Sequence, residues 1–215
     1  MKRSITFVFI MIALVLSSSS TAWGFGKNKI VYDDFDWKIY SSTHFDVYFY
    51  EEERDSLQKV VNLAESAYDE ISRKFEFQIT DRIPLIFYET HSAFEQTNVI
   101  LMFIPEGVGA FAEPVKNRMV LPIDMPDEKL YALLKHELTH IFEFDIIPRS
   151  LLRRGLPLWV DEGLADHLTG YWNPFDLMTV RDAAITDNIP AMSEANMQAF
   201  VSGRLPYNLG HAAFE

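Results

Sequence analysis

Cysteine is missing from all 215 residues of the chain. The sequence therefore excludes disulfide bonds, a cysteine nucleophile and the thiol that a lipoprotein needs for its acyl anchor. For an exported protein, the absence of disulfides is more typical of a bacterial envelope than of a eukaryotic secretory route.

Positive charge is scarce, with 19 Lys and Arg residues against 31 Asp and Glu residues and a formal net charge of -12. This balance opposes binding to nucleic acid or to an anionic membrane surface, because both attract basic proteins. Hydrophobic residues make up 48% of the sequence and aromatic residues 14%. With this length, such a content predicts one packed globular domain with a substantial core.

An apolar run near the N-terminus, residues 5–16, follows two basic residues and precedes a small, polar stretch. It is shorter than the about 20 residues that a membrane-spanning helix needs. We therefore predict a signal peptide over residues 1–24, cleaved after Ala22 or Gly24, and a periplasmic or secreted protein with no stable membrane insertion after cleavage. An uncleaved anchor is the alternative, because no perfect A-x-A cleavage site is present.

The residues with the clearest chemistry are His136-Glu137-Leu138-Thr139-His140. On a helix the two histidines lie four residues apart on one face, so both imidazole rings can reach a single metal ion. Glu137 lies beside them, where it can contact a water on that metal. The pentapeptide therefore predicts a metal site with a catalytic glutamate.

A second segment, residues 159–166, reads Trp-Val-Asp-Glu-Gly-Leu-Ala-Asp. A catalytic zinc site usually has three protein ligands and one open position, and enough chain separates the segments for a second helix to return Glu162 to the histidines. We predict Zn²⁺ held by His136, His140 and Glu162, although this ligand set also suits other divalent ions. Asp166, one turn further on, is expected to accept the free ring N–H of a ligand histidine.

The sequence His-Glu-Leu-Thr-His followed by Trp-Val-Asp-Glu-Gly-Leu-Ala-Asp-His-Leu resembles the gluzincin zinc metallopeptidases, the thermolysin-like and aminopeptidase-like families. In particular, it is similar to the peptidase MA-like domains of bacterial envelope proteins. The resemblance covers residues 42–215 and is most specific in the metal-binding part. It implies an α+β, zincin-like fold, with a small mixed sheet whose edge strand lies over the cleft and a helical lobe that carries the two metal-binding helices.

The rest of the chain is divided accordingly into a lead-in (residues 25–40), an α/β lobe (41–125) and a helical lobe (126–215). Strands are predicted at residues 41–50, 83–88, 107–114 and 118–123, and helices at 51–75, 91–97, 127–144, 156–169, 175–186 and 193–203. Prolines near the outer ends of 107–114 and 118–123 indicate that this pair lies at an edge of the sheet.

The resemblance also implies roles outside the metal site. In gluzincins the edge strand pairs with the peptide substrate by backbone hydrogen bonds. Residues 109–113 are similar to the Gly-Ala-Met-Glu-Asn strand of the aminopeptidase-like members, but Glu113 comes one position late and so faces the other way. We interpret Glu113 as a surface acid rather than as a group that holds the amino terminus of a substrate.

Residues 206–212 resemble the Pro-Tyr-x-x-Gly-x-Ala stretch of the aminopeptidase-like members, in which the tyrosine donates to the oxyanion. Tyr207 is therefore a candidate catalytic residue, with an ordinary helix-start aromatic as the alternative. His211 lies close to it, and its role is left open. We interpret His44, His91 and His167 as surface or packing residues, because they fall outside any ligand spacing.

Together these features predict a zinc-dependent peptidase of the bacterial cell envelope, acting on a peptide or protein substrate with Glu137 as general base. One alternative is a catalytically silent zinc-binding module that serves binding or assembly in a larger envelope protein. Another is a hydrolase of a non-peptide amide or ester. The helical pattern that reaches Glu215 leads us to expect a longer protein with further domains, of which the resemblance suggests a β-propeller as one.

Overall fold

The computed structural model of the protein describes residues 31–100, 104, 107–147, 156–193 and 203–215. Helices combine with a small mixed sheet, which confirms the predicted α+β class. The predicted signal peptide, the first part of the lead-in, the connection over residues 148–155 and most of the predicted helix at 193–203 lie outside the described residues.

The sheet has five strands in the order β1-β2-β3-β5-β4. Their bounds are Lys38–Ser41 for β1, Phe45–Phe49 for β2, Ile83–Tyr88 for β3, Phe111–Glu113 for β4 and Arg118–Pro122 for β5. The three inner strands run parallel, and the two outer strands pair antiparallel with their neighbours. The sequence of β3, Ile-Pro-Leu-Ile-Phe-Tyr, is almost wholly buried, as expected for a parallel strand covered on both faces.

The prediction of one strand at residues 41–50 is wrong. The segment contains the end of β1, a turn and then β2, and the backbone N–H of Ser42 donates to the carbonyl of Phe45 at 2.9 Å to close the turn. Most of β1 falls in what was predicted to be the lead-in. Its side chains are largely exposed at the sheet edge, so the sequence has no alternation there to indicate a strand.

The prediction that the pair of strands at residues 107–114 and 118–123 lies at an edge of the sheet is confirmed, although β4 is shorter than predicted. β4 forms an edge of the sheet, whereas β5 lies between β3 and β4. Pro122 is tolerated in an inner strand because it is the last residue of β5. Pairing continues beyond it, where the N–H of Ile123 donates to the carbonyl of Tyr88 at 2.9 Å.

The described residues contain six helices. Five follow the first five predicted helices closely, apart from a shorter second helix, and the last corresponds to the helical pattern predicted to reach Glu215. The six helices are α1 (Arg54–Phe75), α2 (His91–Phe94), α3 (Asp127–Ile146), α4 (Leu158–Thr169), α5 (Pro174–Ile185) and α6 (Leu205–Phe214), with a 3-10 turn at Glu51–Glu53 before α1. Gly170 ends α4 in the left-handed conformation, with φ 68°, where a residue without a side chain is favoured.

The main core lies where α1 and α3 pack against the sheet. Apolar residues at helical spacing on α1, among them Ala64, Tyr68 and Ile71, are buried in it. From α3 the fully buried Leu138 and Phe142 enter the same core, and each such side chain contributes about 1.5–3 kcal/mol through the burial of apolar surface. One face of α3 is thereby fixed, and its other face is directed toward α4.

Helices α4 and α6 contact each other through their backbones, at Gly163 and Gly210. A Cβ atom built on Gly163 would lie 2.4 Å from the Cα of Gly210, which no real side chain tolerates. Glycine at both positions therefore allows an approach that places the side chains of the two helices next to each other on either side of the crossing. In the described parts of the chain, no helix has the length and apolar content to span a membrane.

Gly210→Ala should disrupt this crossing. The added methyl group would lie 1.9 Å from the backbone oxygen of Trp159, so the two helices must separate. We expect the free energy of unfolding in urea to fall by at least about 1–3 kcal/mol. Gly107→Ala is the matched control, because a Cβ there meets no atom within 4 Å. Equal stability of the two variants would contradict the proposed role of the crossing.

Candidate metal centre

Helix α3 presents His136, Glu137 and His140 toward α4. The helix is built largely from strong helix formers, and its first turn carries two acids that favour the N-terminal end of the helix dipole. The four-residue spacing brings the two rings together nearly perpendicular to each other, with centroids 5.0 Å apart. Their Nε2 atoms are 3.3 Å apart.

Helix α4 adds the carboxylate of Glu162 to this pair. Its Oε2 lies 3.3 Å from Nε2 of His136 and 3.6 Å from Nε2 of His140. Two ligand atoms at zinc-bonding distances in a tetrahedral site lie about 3.3–3.6 Å apart. The three residues predicted as ligands therefore come together with the spacing that a zinc ion requires, and they form a group able to hold a metal ion.

The second nitrogen of each ring faces a carboxylate. Nδ1 of His136 lies 2.9 Å from Oδ1 of Asp166, the partner predicted from the sequence. Nδ1 of His140 lies 3.2 Å from Glu143 and 3.3 Å from Asp161, and neither residue was predicted. Such contacts fix the tautomer, leaving each Nε2 free to act as a ligand. The sequence did contain a signal for each of the two unpredicted residues. Asp161 directly precedes Glu162, and Glu143 lies about one helical turn after His140.

Burial and neighbouring charge perturb the pKa of both imidazole rings and of Glu162. Burial opposes the charged ring of His136, but the carboxylates of Asp166 and Glu162 outweigh it and raise its pKa to about 9. The same competition raises the pKa of His140 well above its usual value. Burial would raise the pKa of Glu162, yet hydrogen bonds from the two rings lower it, so its carboxylate stays ionised and available to a cation.

Glu143 and Asp161 behave as a pair. Burial raises the pKa of Glu143 to about 7, whereas contact with His140 outweighs burial and lowers the pKa of Asp161. The two carboxyl groups are hydrogen-bonded to each other, so a protonated Glu143 can donate to an ionised Asp161. One negative charge then faces the ring of His140.

Glu137 follows His136 on α3 and contacts the edge strand of the sheet. It is 5% exposed, and burial raises its pKa. A hydrogen bond with the backbone of Ala112, in the edge strand β4, acts in the opposite direction. A buried carboxylate with a raised pKa suits proton transfer, because it takes up a proton more readily than an ordinary glutamate.

With the exception of Glu143, these groups line a cleft of about 1010 Å³. One wall is the stretch of residues 107–112 that leads into and forms β4, and the opposite wall comes from residues 171–173 and the first part of α6. His136, His140 and Glu162 line the same cleft. The three candidate ligands are therefore accessible to a molecule bound there.

Tyr207 lines the cleft and contacts Glu162. Burial, followed by the charge of Glu162, raises the pKa of its hydroxyl to about 12, so the hydroxyl keeps its proton. The guanidinium of Arg204 lies over its ring, 4.9 Å from the centroid, and also pairs with Asp166 at 2.6 Å. Arg204 thus connects the tyrosine to the outer carboxylate of the metal centre, a contact that the sequence did not indicate.

The interpretation of Glu113 as a surface acid is wrong. It is 7% exposed and accepts hydrogen bonds from the backbone of Val115 at 2.7 Å and from the side chain of Arg118 at 2.9 Å. Its carboxylate stabilises the turn between β4 and β5 and is not among the groups that line the cleft. Glu113 is therefore not available to hold the amino terminus of a substrate.

The histidines predicted to be surface or packing residues differ among themselves. His44 packs on the ring of Tyr68 and pairs with Glu65 at 2.6 Å, which fits a packing role. His91 is a partly exposed residue 3.5 Å from Glu95. His167 lies close to His211 and Glu215, and the possible ligand atoms of the three residues are near enough to one another to hold a metal ion, a proximity that the sequence spacing did not indicate.

Comparisons of the chain with protein-family models, with curated proteins and with solved structures found no match. The function therefore has to be inferred from the chemistry and geometry of the cleft.

Asp166→Asn tests the outer contact of His136. The amide presents a weaker acceptor to Nδ1, so we expect zinc affinity to fall about 10-fold to 100-fold. Competition with a fluorescent chelator would measure the change. Asp182→Asn, on the exposed surface of α5, is the matched control and should leave the affinity unaltered. An unchanged affinity in Asp166→Asn would show that this contact does not support the metal ligand.

Zinc affinity should also depend on pH. The ring of His136 has a pKa of about 9 in the metal-free site, so below this pH a cation must displace a proton to bind. Affinity is therefore expected to decrease as the pH falls from about 8.5 to 6, by up to about 10-fold per pH unit for each ring that has to lose a proton. Calorimetry in buffers of different ionisation enthalpy would count the protons released. Constant affinity with no proton release would contradict this picture.

Proposed function

We propose that the protein is a zinc-dependent peptidase of the bacterial cell envelope, related to the gluzincins. The observation that carries the proposal is the arrangement of His136, His140 and Glu162 at mutual distances of 3.3 Å, 3.3 Å and 3.6 Å in an open cleft, with the buried Glu137 beside them. The α+β fold, with the metal-binding helices packed next to a mixed sheet, supports a zincin-like architecture.

The ligand set favours zinc. Two imidazole nitrogens and one carboxylate oxygen, with a fourth position open to the cleft, are typical of catalytic zinc sites. When bound, zinc would supply a Lewis acid that activates water and polarises a carbonyl group. The protein holds the ligands ready, since the outer carboxylates orient both rings.

Glu137 would act as the general base. Its buried carboxylate would take a proton from the attacking water and then pass it to the nitrogen that leaves when the peptide bond breaks. Its raised pKa supports this exchange, because a proton held for one step can be released in the next. Its neighbour Ala112 belongs to the edge strand, so the carboxylate lies next to the wall where the scissile bond would be placed.

Tyr207 would stabilise the oxyanion. Its hydroxyl is protonated at neutral pH, lines the cleft and lies next to Glu162. A neutral O–H donor directed at developing negative charge lowers the barrier most effectively where water is excluded. Arg204, stacked over the tyrosine ring, would act as a positioning residue for that hydroxyl.

An extended peptide is the substrate that fits the cleft. Residues 107–112 line it, and β4 lies at an edge of the sheet, where a substrate strand could add by backbone hydrogen bonds. Such pairing would recognise the backbone of the peptide and would not depend on particular side chains. The signal peptide predicted over residues 1–24 supports activity in the periplasm or outside the cell.

Glu137→Gln separates catalysis from metal binding. The amide keeps the size of the side chain but cannot accept the proton, so we expect full zinc content and a decrease in peptide hydrolysis of at least about 10²-fold. Cleavage of casein and of a peptide library, with and without a chelator, would measure the loss. Glu52→Gln, exposed before α1, is the control and should leave hydrolysis unchanged.

Glu162→Ala should instead lose both zinc and hydrolysis, because it removes one of three ligands. Full metal content in Glu162→Ala would contradict the assignment of the third ligand. Zinc binding by the wild-type protein without any chelator-sensitive cleavage would favour the silent binding module over the peptidase.

A further inference from the structure

Three side chains beyond the cleft centre form a second group with metal-binding chemistry. Nδ1 of His167, on α4, lies 3.6 Å from Oε2 of Glu215, and Nε2 of His211, on α6, lies 3.9 Å from the same oxygen. Within the described residues there is one further group of possible ligands, His140, Glu143 and Asp161, and it shares His140 with the three candidate ligands in the cleft. The group of His167, His211 and Glu215 shares no residue with either.

We propose that His167, His211 and Glu215 form a second site for a divalent transition metal, of the zinc class, which connects α4 to α6. Two imidazoles and one carboxylate are the same donor set as in the cleft, and they suit zinc and its neighbours rather than calcium or magnesium. The proposal concerns structure, and it does not depend on peptidase activity.

The geometry of the two groups is similar. The rings of His167 and His211 are 5.7 Å apart at 82°, and the rings of His136 and His140 are 5.0 Å apart at 78°. The two distances from the Glu215 oxygen to the imidazole nitrogens exceed the ligand–ligand distances of a tetrahedral zinc site by only a few tenths of an ångström. Glu215 is largely exposed, so a small rotation of its side chain can shorten these distances.

The protein holds both histidines in place and leaves one of their ring nitrogens without a hydrogen bond. Nδ1 of His167 is buried and has no hydrogen-bond partner, an arrangement that normally costs stability. The ring of His211 is 4% exposed and stacks on Trp172 with centroids 3.7 Å apart. The close approach of Gly163 and Gly210 fixes the helices that carry both rings. A cation would give the buried nitrogen the partner that it lacks.

Such a site would stabilise the helix crossing from which Glu162 and Tyr207 extend into the cleft. The second metal would therefore act as a clamp rather than as a reactant, because none of its ligands is among those of the proposed cleft metal, although His211 also lines the cleft. Any ligand that binds only the folded chain stabilises it in proportion to its affinity and concentration. The clamp would raise the melting temperature even in a variant that lacks the cleft metal.

Zinc stoichiometry tests the proposal directly. Equilibrium dialysis of the full chain against micromolar Zn²⁺, followed by metal analysis, should give two equivalents for the wild type and one for Glu162→Ala. His167→Gln should also bind one, and the double variant should bind none. His91→Gln is the matched control, since His91 pairs with Glu95 at 3.5 Å but no third ligand joins them among the described residues. It should bind two equivalents.

Trp172 provides a second measurement. Because it stacks on His211, Cu²⁺ bound at the second site should quench its fluorescence in the Glu162→Ala background, where the cleft site is disabled. Adding Glu215→Gln, an exposed change that does not disturb packing, should abolish that quenching. Circular dichroism and retention of the cleft equivalent would show that His167→Gln is folded.

The outcomes separate the two proposals. One equivalent in the wild type that is lost in Glu162→Ala and retained in His167→Gln would overturn the second site and leave the peptidase proposal intact. Two equivalents in the wild type that persist in Glu162→Ala but fall to one in His167→Gln would overturn the cleft assignment and support the second site. Quenching that survives Glu215→Gln would count against this carboxylate as a ligand.

Discussion

The contact of Gly163 with Gly210 is the constraint on which the rest of the site depends. Two helix backbones approach so closely there that a single methyl group would separate them. The side chains on either side of that contact are consequently brought together, with Glu162 beside Tyr207 on the cleft side and His167 beside His211 further along α4. A helix that reached α3 without this support would not hold its carboxylate at a fixed distance from two imidazoles.

Charge is the second feature that organises the centre. Two histidines and several carboxylates are buried or half-buried in a small volume, which is costly unless each charge is paired. Every ring nitrogen therefore faces an acidic group or the position that a cation would take, and Arg204 balances Asp166 on the outer side. The pKa values of His136 and Glu162 are displaced in opposite directions, as expected for a site that stores negative charge for a cation.

Much of this centre was predictable because its signals are local. The four-residue spacing of His136 and His140 places both rings on one face of a helix. The downstream segment contains Glu162 and Asp166, separated from the histidines by enough chain for a second helix to return to them. The helices of the fold followed from apolar periodicity for the same reason. The error in the sheet fell at its other edge, where β1 has exposed side chains without alternation.

Sequence alone determined the α+β class, the acidic, cysteine-free composition and which residues are candidates for metal ligands and for a base beside them. Tertiary structure decided which groups support that chemistry. Glu143 and Asp161 lie 18 positions apart on different helices but both contact the ring of His140. Arg204, at the start of α6, pairs with Asp166 on α4. The carboxylate of Glu113 accepts a hydrogen bond within the turn between β4 and β5. Periodicity records which side of an element is buried, whereas these contacts depend on which elements become neighbours, and that is set by the packing of the whole chain.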